Sequence, residues 1–108
     1  GTTGGGLNLV DPATGRVHSF ASRRGVPDAL GDDTIYALHV DARGTLWIGT
    51  AGGGLSRATG SVDDPGSIRF RTWGTQDGLP SNVVYGIEPD ASGRLWLSTN
   101  YGLVRFDP

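Results

Sequence analysis

A chain of 108 residues with a net charge of −2 and 36% hydrophobic residues fits one small domain. Acids and bases are interleaved without a basic patch, which argues against a nucleic-acid partner. Cys is absent, so there is no disulfide framework, thiolate metal site or cysteine nucleophile, and no apolar run approaches the ~20 residues of a membrane helix.

Short β-prone segments alternate with turn signals along the whole chain. Leu7–Val10 reads as a strand, Asp11-Pro12-Ala13-Thr14-Gly15 as a turn and Arg16–Phe20 as the returning strand. Ala21–Asp33 is a polar loop, followed by a strand over Thr34–Val40. Asp41-Ala42-Arg43-Gly44 is a hairpin turn, with Asp able to bond its own backbone and Gly at the left-handed position. Strands follow over Thr45–Thr50, Leu55–Ala58 and Ile68–Trp73, with a loop at Thr59–Ser67. Gly74–Asn82 is a loop. Val83–Glu88, the turn Asp90-Ala91-Ser92-Gly93, Arg94–Thr99 and Leu103–Phe106 complete the chain. No helical periodicity is visible, so the fold class is all-β and antiparallel.

The chain also repeats itself. Ile35 to Thr50, IYALHVDARGTLWIGT, aligns without a gap on Val84 to Thr99, VYGIEPDASGRLWLST, 49 residues later. Tyr36/Tyr85, Asp41/Asp90, Gly44/Gly93, Leu46/Leu95 and Trp47/Trp96 are identical pairs. Gly1–Leu7 echoes Gly49–Leu55. A period of 40–50 residues made of short strands signals a propeller or solenoid array. Labelling the strands of a four-stranded blade a to d from the inside out, residues 1–20 supply c and d of a partial blade. Residues 34–73 then form a complete blade, and residues 83–106 supply a to c of another partial blade. About two blades' worth of sheet makes an incomplete ring, since closure takes roughly four to eight. The expected partners are neighbouring blades, on the same longer chain or on other copies through oligomerisation, because exposed faces and edges invite pairing. The chain starts without Met, which suggests a processed product or an excerpt.

Leu46-Trp47-Ile48-Gly49-Thr50 with Gly52-Gly53-Gly54-Leu55 resembles the core of the two-component regulator propeller repeat. So does Asp77-Gly78-Leu79-Pro80-Ser81-Asn82-Val83-Val84-Tyr85 running into Asp90, Gly93 and Leu95-Trp96-Leu97-Ser98-Thr99. The closing Gly102-Leu103-Val104-Arg105-Phe106 resembles the strand after the family's glycine turn. The resemblance implies the periplasmic sensor region of a membrane-bound bacterial signalling protein, binding a ligand or a protein. Some members respond to carbohydrates. Two other readings remain open: a propeller enzyme of the streptogramin-lyase type, and a self-assembling propeller fragment with no intrinsic activity.

Candidate residues divide by role. Trp47 and Trp96 are expected in the gaps between adjacent blades, and Val83, Val84, Tyr85 and Ile87 read as a near-continuous buried run. Asp41 and Asp90 cap the turns that Gly44 and Gly93 permit, rather than acting as catalytic carboxylates. His39 and Glu88 share one repeat position and are expected to line the central channel, either solvated or meeting a ligand. The pairs Asp32-Asp33 and Asp63-Asp64 lack a calcium-loop pattern, so no metal is expected. No cofactor or catalytic residue is expected either. Ligands usually meet loops held on a rigid scaffold. The face where d-to-a and b-to-c loops emerge would carry Arg23, Arg24, Asp28, Gln76, Asp77, Asn82, Asn100 and Tyr101, a mixture suited to sugars but also ordinary in turns.

Overall fold

A computed structural model describes residues 1–23, 29–61 and 64–108. Asp-x-x-Gly turns and β-branched or aromatic runs give nine strands among these residues. They are β1 (Leu7–Val10), β2 (Val17–Phe20), β3 (Ile35–Val40), β4 (Leu46–Thr50), β5 (Leu55–Ser61), β6 (Asp64–Trp73), β7 (Val84–Pro89), β8 (Leu95–Thr99) and β9 (Gly102–Phe106). All ladder pairs are antiparallel and sequential, giving sheets β1-β2, β3-β4-β5-β6 and β7-β8-β9. These are propeller blades, one complete and two partial, and they do not close a ring.

Two apolar seams hold the three sheets face to face. Leu7, Leu30, Ile35, Ile48 and Phe70 fill the first seam, between the first and second sheets. Trp47, Leu55, Leu79, Val84, Ile87, Leu95 and Leu97 fill the second, with Trp73, Val104 and Phe106 packed against it. Side chains alternate across a strand, so β4 sends Ile48 into the first seam and Trp47 into the second. This two-sided burial makes β4 buried from Trp47 to Thr50. Leu30 and Leu79, one in each seam, come from connections and are 49 residues apart.

Trp47 is the centre of the second seam. Its ring lies 5.7 Å from Trp73 and 5.6 Å from Phe106, centroid to centroid. The Arg57 guanidinium sits over both Trp47 and Trp73. Across the second sheet, His39, Trp47, Arg57 and Arg71 form one register row.

Trp96 lies on the outer face of the third sheet, and no sheet among the described residues stands over it to make the seam expected there. Two expectations are corrected. The run from Val83 to Ile87 is not uniformly buried, because Tyr85 turns outward at a β-bulge. The supposed loop at 59–67 is mostly strand: β5 continues to Ser61 and β6 begins at Asp64, with Ser61 opposite Asp64. The cluster Asp64-Pro65-Gly66 looks like a loop in sequence, but Pro is tolerated on an edge strand and β6 is an edge.

Candidate functional site

The hairpin turns are built as their residue types require. Asp41 Oδ1 accepts the backbone N–H groups of Arg43 at 2.9 Å and Thr45 at 3.0 Å. Asp90 Oδ1 accepts those of Ser92 at 2.8 Å and Arg94 at 3.0 Å. Gly44 and Gly93 follow with φ of 82° and 87°, which a residue with a Cβ adopts only under strain. Asp41 Oδ2 also accepts the Trp47 indole N–H at 3.0 Å, tying the turn to the seam. That indole bond comes first in holding the Asp41 carboxyl below its ordinary range, with the turn amides adding to it. At Asp90 the Ser92 hydroxyl donates at 2.7 Å and is the leading cause of the same lowering.

Six of the eight residues of the predicted loop face are described. Arg24 and Asp28 lie outside the described residues. Arg23 lines a groove of about 440 Å³ with Phe20, Ala29 and Arg69, beside the outer strands β2 and β6. Asp77 accepts the Gly74 N–H at 3.0 Å and so closes a one-turn 3-10 helix, Thr75–Asp77, on which Gln76 is exposed. Asn82 Oδ1 accepts the Thr75 N–H at 2.8 Å, and its backbone carbonyl accepts the Gly54 N–H at 2.7 Å. Asp77 Oδ2 and Asn82 Oδ1 therefore help to shape the loop. His39 stands opposite Trp47, with Nε2 buried and without a hydrogen-bond partner among the described residues. Glu88 stands opposite Trp96 and is exposed.

Asn100 belongs to a different arrangement, centred on two residues not singled out for function from the sequence. Tyr36 and Tyr85 stack on one another with ring centroids 5.2 Å apart and planes 24° apart. Each is the residue that its ladder skips. Pairing passes from Ile35↔Thr50 to Ala37↔Gly49 in one sheet, and from Val84↔Thr99 to Gly86↔Ser98 in the other. A bulge re-aims a side chain, and bulges are enriched beside functional sites. Both tyrosines lie on the innermost strand of their sheet, β3 or β7. The Tyr85 hydroxyl donates to Asn100 Oδ1 at 2.6 Å. Tyr101 is exposed beside it, its N–H bonded to Thr99 Oγ1 at 3.1 Å. The signal in the sequence was the Tyr36/Tyr85 identity at the repeat spacing, but periodicity alone reads these residues as seam packing.

The comparisons agree with this architecture. The family profile described as "Two component regulator propeller" matches residues 29–52 and 78–101, the two repeat units. Among solved structures, the extracellular domain of a protein described as a hybrid two-component system from B. thetaiotaomicron is 29% identical, with a TM-score of 0.71. The match covers 95% of this chain and 13% of that one. The extracellular domain of a protein described as a one-component system from the same organism shares the fold at 22% identity, with a TM-score of 0.77. That match covers 99% of this chain and 15% of the other. No curated protein matches.

Proposed function

We propose that this chain, which carries two repeats of the two-component regulator propeller family, is part of the extracytoplasmic, periplasmic sensor region of a bacterial signalling protein. It acts by binding a ligand or a protein, with no chemistry of its own, and a carbohydrate is the ligand class that the family resemblance implies. The observation that carries the location is the likeness over 95% of the chain to an extracellular domain of a two-component system. Its partners are neighbouring blades. Trp96 and Leu103 stand open on the third sheet at the repeat positions where the second sheet buries Trp47 and Leu55. A further blade seated there would make the same seam again.

The location is tested by protease treatment of intact spheroplasts from the cell that makes this protein, followed by immunoblotting with an antibody against the chain. Degradation before the inner membrane is broken is the expected result. Protection until lysis would remove the extracytoplasmic reading.

A further inference from the structure

We infer that a second copy of this chain completes the first and third sheets, joined head to tail, with Trp96 of one copy filling an apolar slot in the next. The inference rests on the blade partnership proposed above and names the partner.

Three complementary pairs of features carry it. The first is a slot and a tryptophan. An apolar cavity of about 240 Å³ opens between the first and second sheets, lined by Leu7, Leu9, Phe20, Leu38, Leu46 and Ala58. That exceeds the ~150 Å³ that takes a benzene ring, so an indole fits. Phe20, Leu38, Leu46 and Ala58 are the repeat counterparts of Trp73, Ile87, Leu95 and Phe106, which line the second seam with Trp47. The cavity is therefore the tryptophan place of the first seam, where the two-stranded first sheet brings no tryptophan. Trp96, open on the third sheet, is a tryptophan with no slot.

The second pair is aromatic. Tyr36 and Tyr85 stack, so their free faces point in opposite directions. Tyr85 of one copy can stack on Tyr36 of the next as it does on its own Tyr36. The third pair is a strand and an edge. Gly6–Pro12, GLNLVDP, and Gly102–Pro108, GLVRFDP, share Gly, Leu, Asp and Pro at the same four places. β1 and β9 are thus the same strand of the blade. β1 carries β2 on its outer side, and β9 carries no strand there. Where two copies meet, β9 of one takes the place of β1 of the next and pairs with that copy's β2, giving a four-stranded blade. β9 is the strand that stays, because Val104 and Phe106 anchor it in the second seam, whereas β1 buries only Leu7.

Such a contact joins unlike faces. Like faces meeting would bring Trp96 to Trp96 and leave the slot unfilled. Unlike faces generate a ring when the rotation closes. With two blades per copy, a ring of about four to eight blades takes two to four copies. Assembly follows mass action, and the dilute chain is the single form with Trp96 open.

The test is sedimentation velocity of the full chain from low micromolar to near-millimolar concentration. The mass should rise from one chain of 11.3 kDa to a discrete species of two to four chains. Trp96→Asp charges the plug and Leu38→Asp charges the slot. Both positions are exposed in the single chain, so each variant keeps its sheets, as circular dichroism checks, and each alone should stay single. Trp96→Ala adds no charge and should still weaken assembly about tenfold or more. Each aspartate variant keeps one sound half of the contact. Mixed in equal amounts, the two should therefore form a two-chain species, using Trp96 of one and the slot of the other. A wild-type chain that stays single throughout overturns the inference. So does assembly that the three variants leave unchanged, or a mixture of the two aspartate variants that forms no two-chain species. None of these results bears on location, which the spheroplast experiment decides separately.

Discussion

The hairpins at 35–50 and 84–99 are nearly the same sequence in unlike surroundings. Trp47 is 1% exposed and Trp96 is 39% exposed. Leu55 and Leu103, also repeat partners, are 0% and 73% exposed. The strands, turns and registers of the two units are alike, and both ladders even skip the same tyrosine. What differs is whether a third layer lies over the tryptophan face. The contrast separates two contributions that sequence patterning merges: the local hydrogen bonding that makes the hairpin, and the burial that stabilises it. Only the second requires a neighbour.

That contrast can be broken by measurement. Trp47→Ala should lower the unfolding free energy by ~3–5 kcal/mol, as loss of a fully packed tryptophan does. Trp96→Ala should cost under ~1 kcal/mol, near the range for surface positions. Urea denaturation of both variants decides the matter, and equal losses would mean that the seam is not where stability resides. The leucine pair sharpens the point: Leu55→Ala should cost ~2–5 kcal/mol, and Leu103→Ala should stay within ~0.5 kcal/mol.

A smaller effect concerns Gly49, whose repeat partner is Ser98. A Cβ at Gly49 would lie 2.8 Å from the Val84 carbonyl oxygen and 2.9 Å from Val84 Cγ1, because β7 packs directly against that backbone. Gly49→Ser should therefore cost ~1–3 kcal/mol through overpacking. The reciprocal change, Ser98→Gly, should cost only the ~0.5–1 kcal/mol of a glycine in a strand. Thermal melts of the two swaps would show whether close approach or propensity governs the position.

The smallest expected effect is electrostatic. The Asp41 carboxyl is held low, so its contribution is present above its unfolded-state value near pH ~4 and is lost as the pH falls through the lower folded value. Trp47→Phe removes the leading cause, the indole N–H, and should raise the Asp41 midpoint in a carboxyl-detected NMR titration. Asp90 should titrate as before, since its leading partner is the Ser92 hydroxyl. A Trp47→Phe variant in which Asp41 titrates unchanged would show that the turn amides alone hold it down.

Much of the fold was legible in particular residues. Asp41-x-x-Gly44 and Asp90-x-x-Gly93 fix hairpin turns through bonds that span at most four residues, so sequence order alone predicts them. Leu46-Trp47-Ile48 announces a strand buried on both faces. Less of the candidate site was visible. Asn82 and Asp77 have the composition of ligand contacts, yet their side chains close the loop that carries them. Tyr85 has the composition of core, yet a bulge turns it out to meet Tyr36 and Asn100. A bulge is a matter of ladder register, which depends on two strands at once and leaves no mark in either taken singly.

The sequence by itself determined the repeat, the strand and turn order and the blade architecture, because local backbone bonding and side-chain alternation operate within a few residues. The tertiary structure decided which tryptophan is buried, where a glycine is obligatory and which tyrosines meet, because those depend on surfaces brought together from residues some fifty positions apart. Identical side chains took different roles according to whether another sheet was there to exclude water from them.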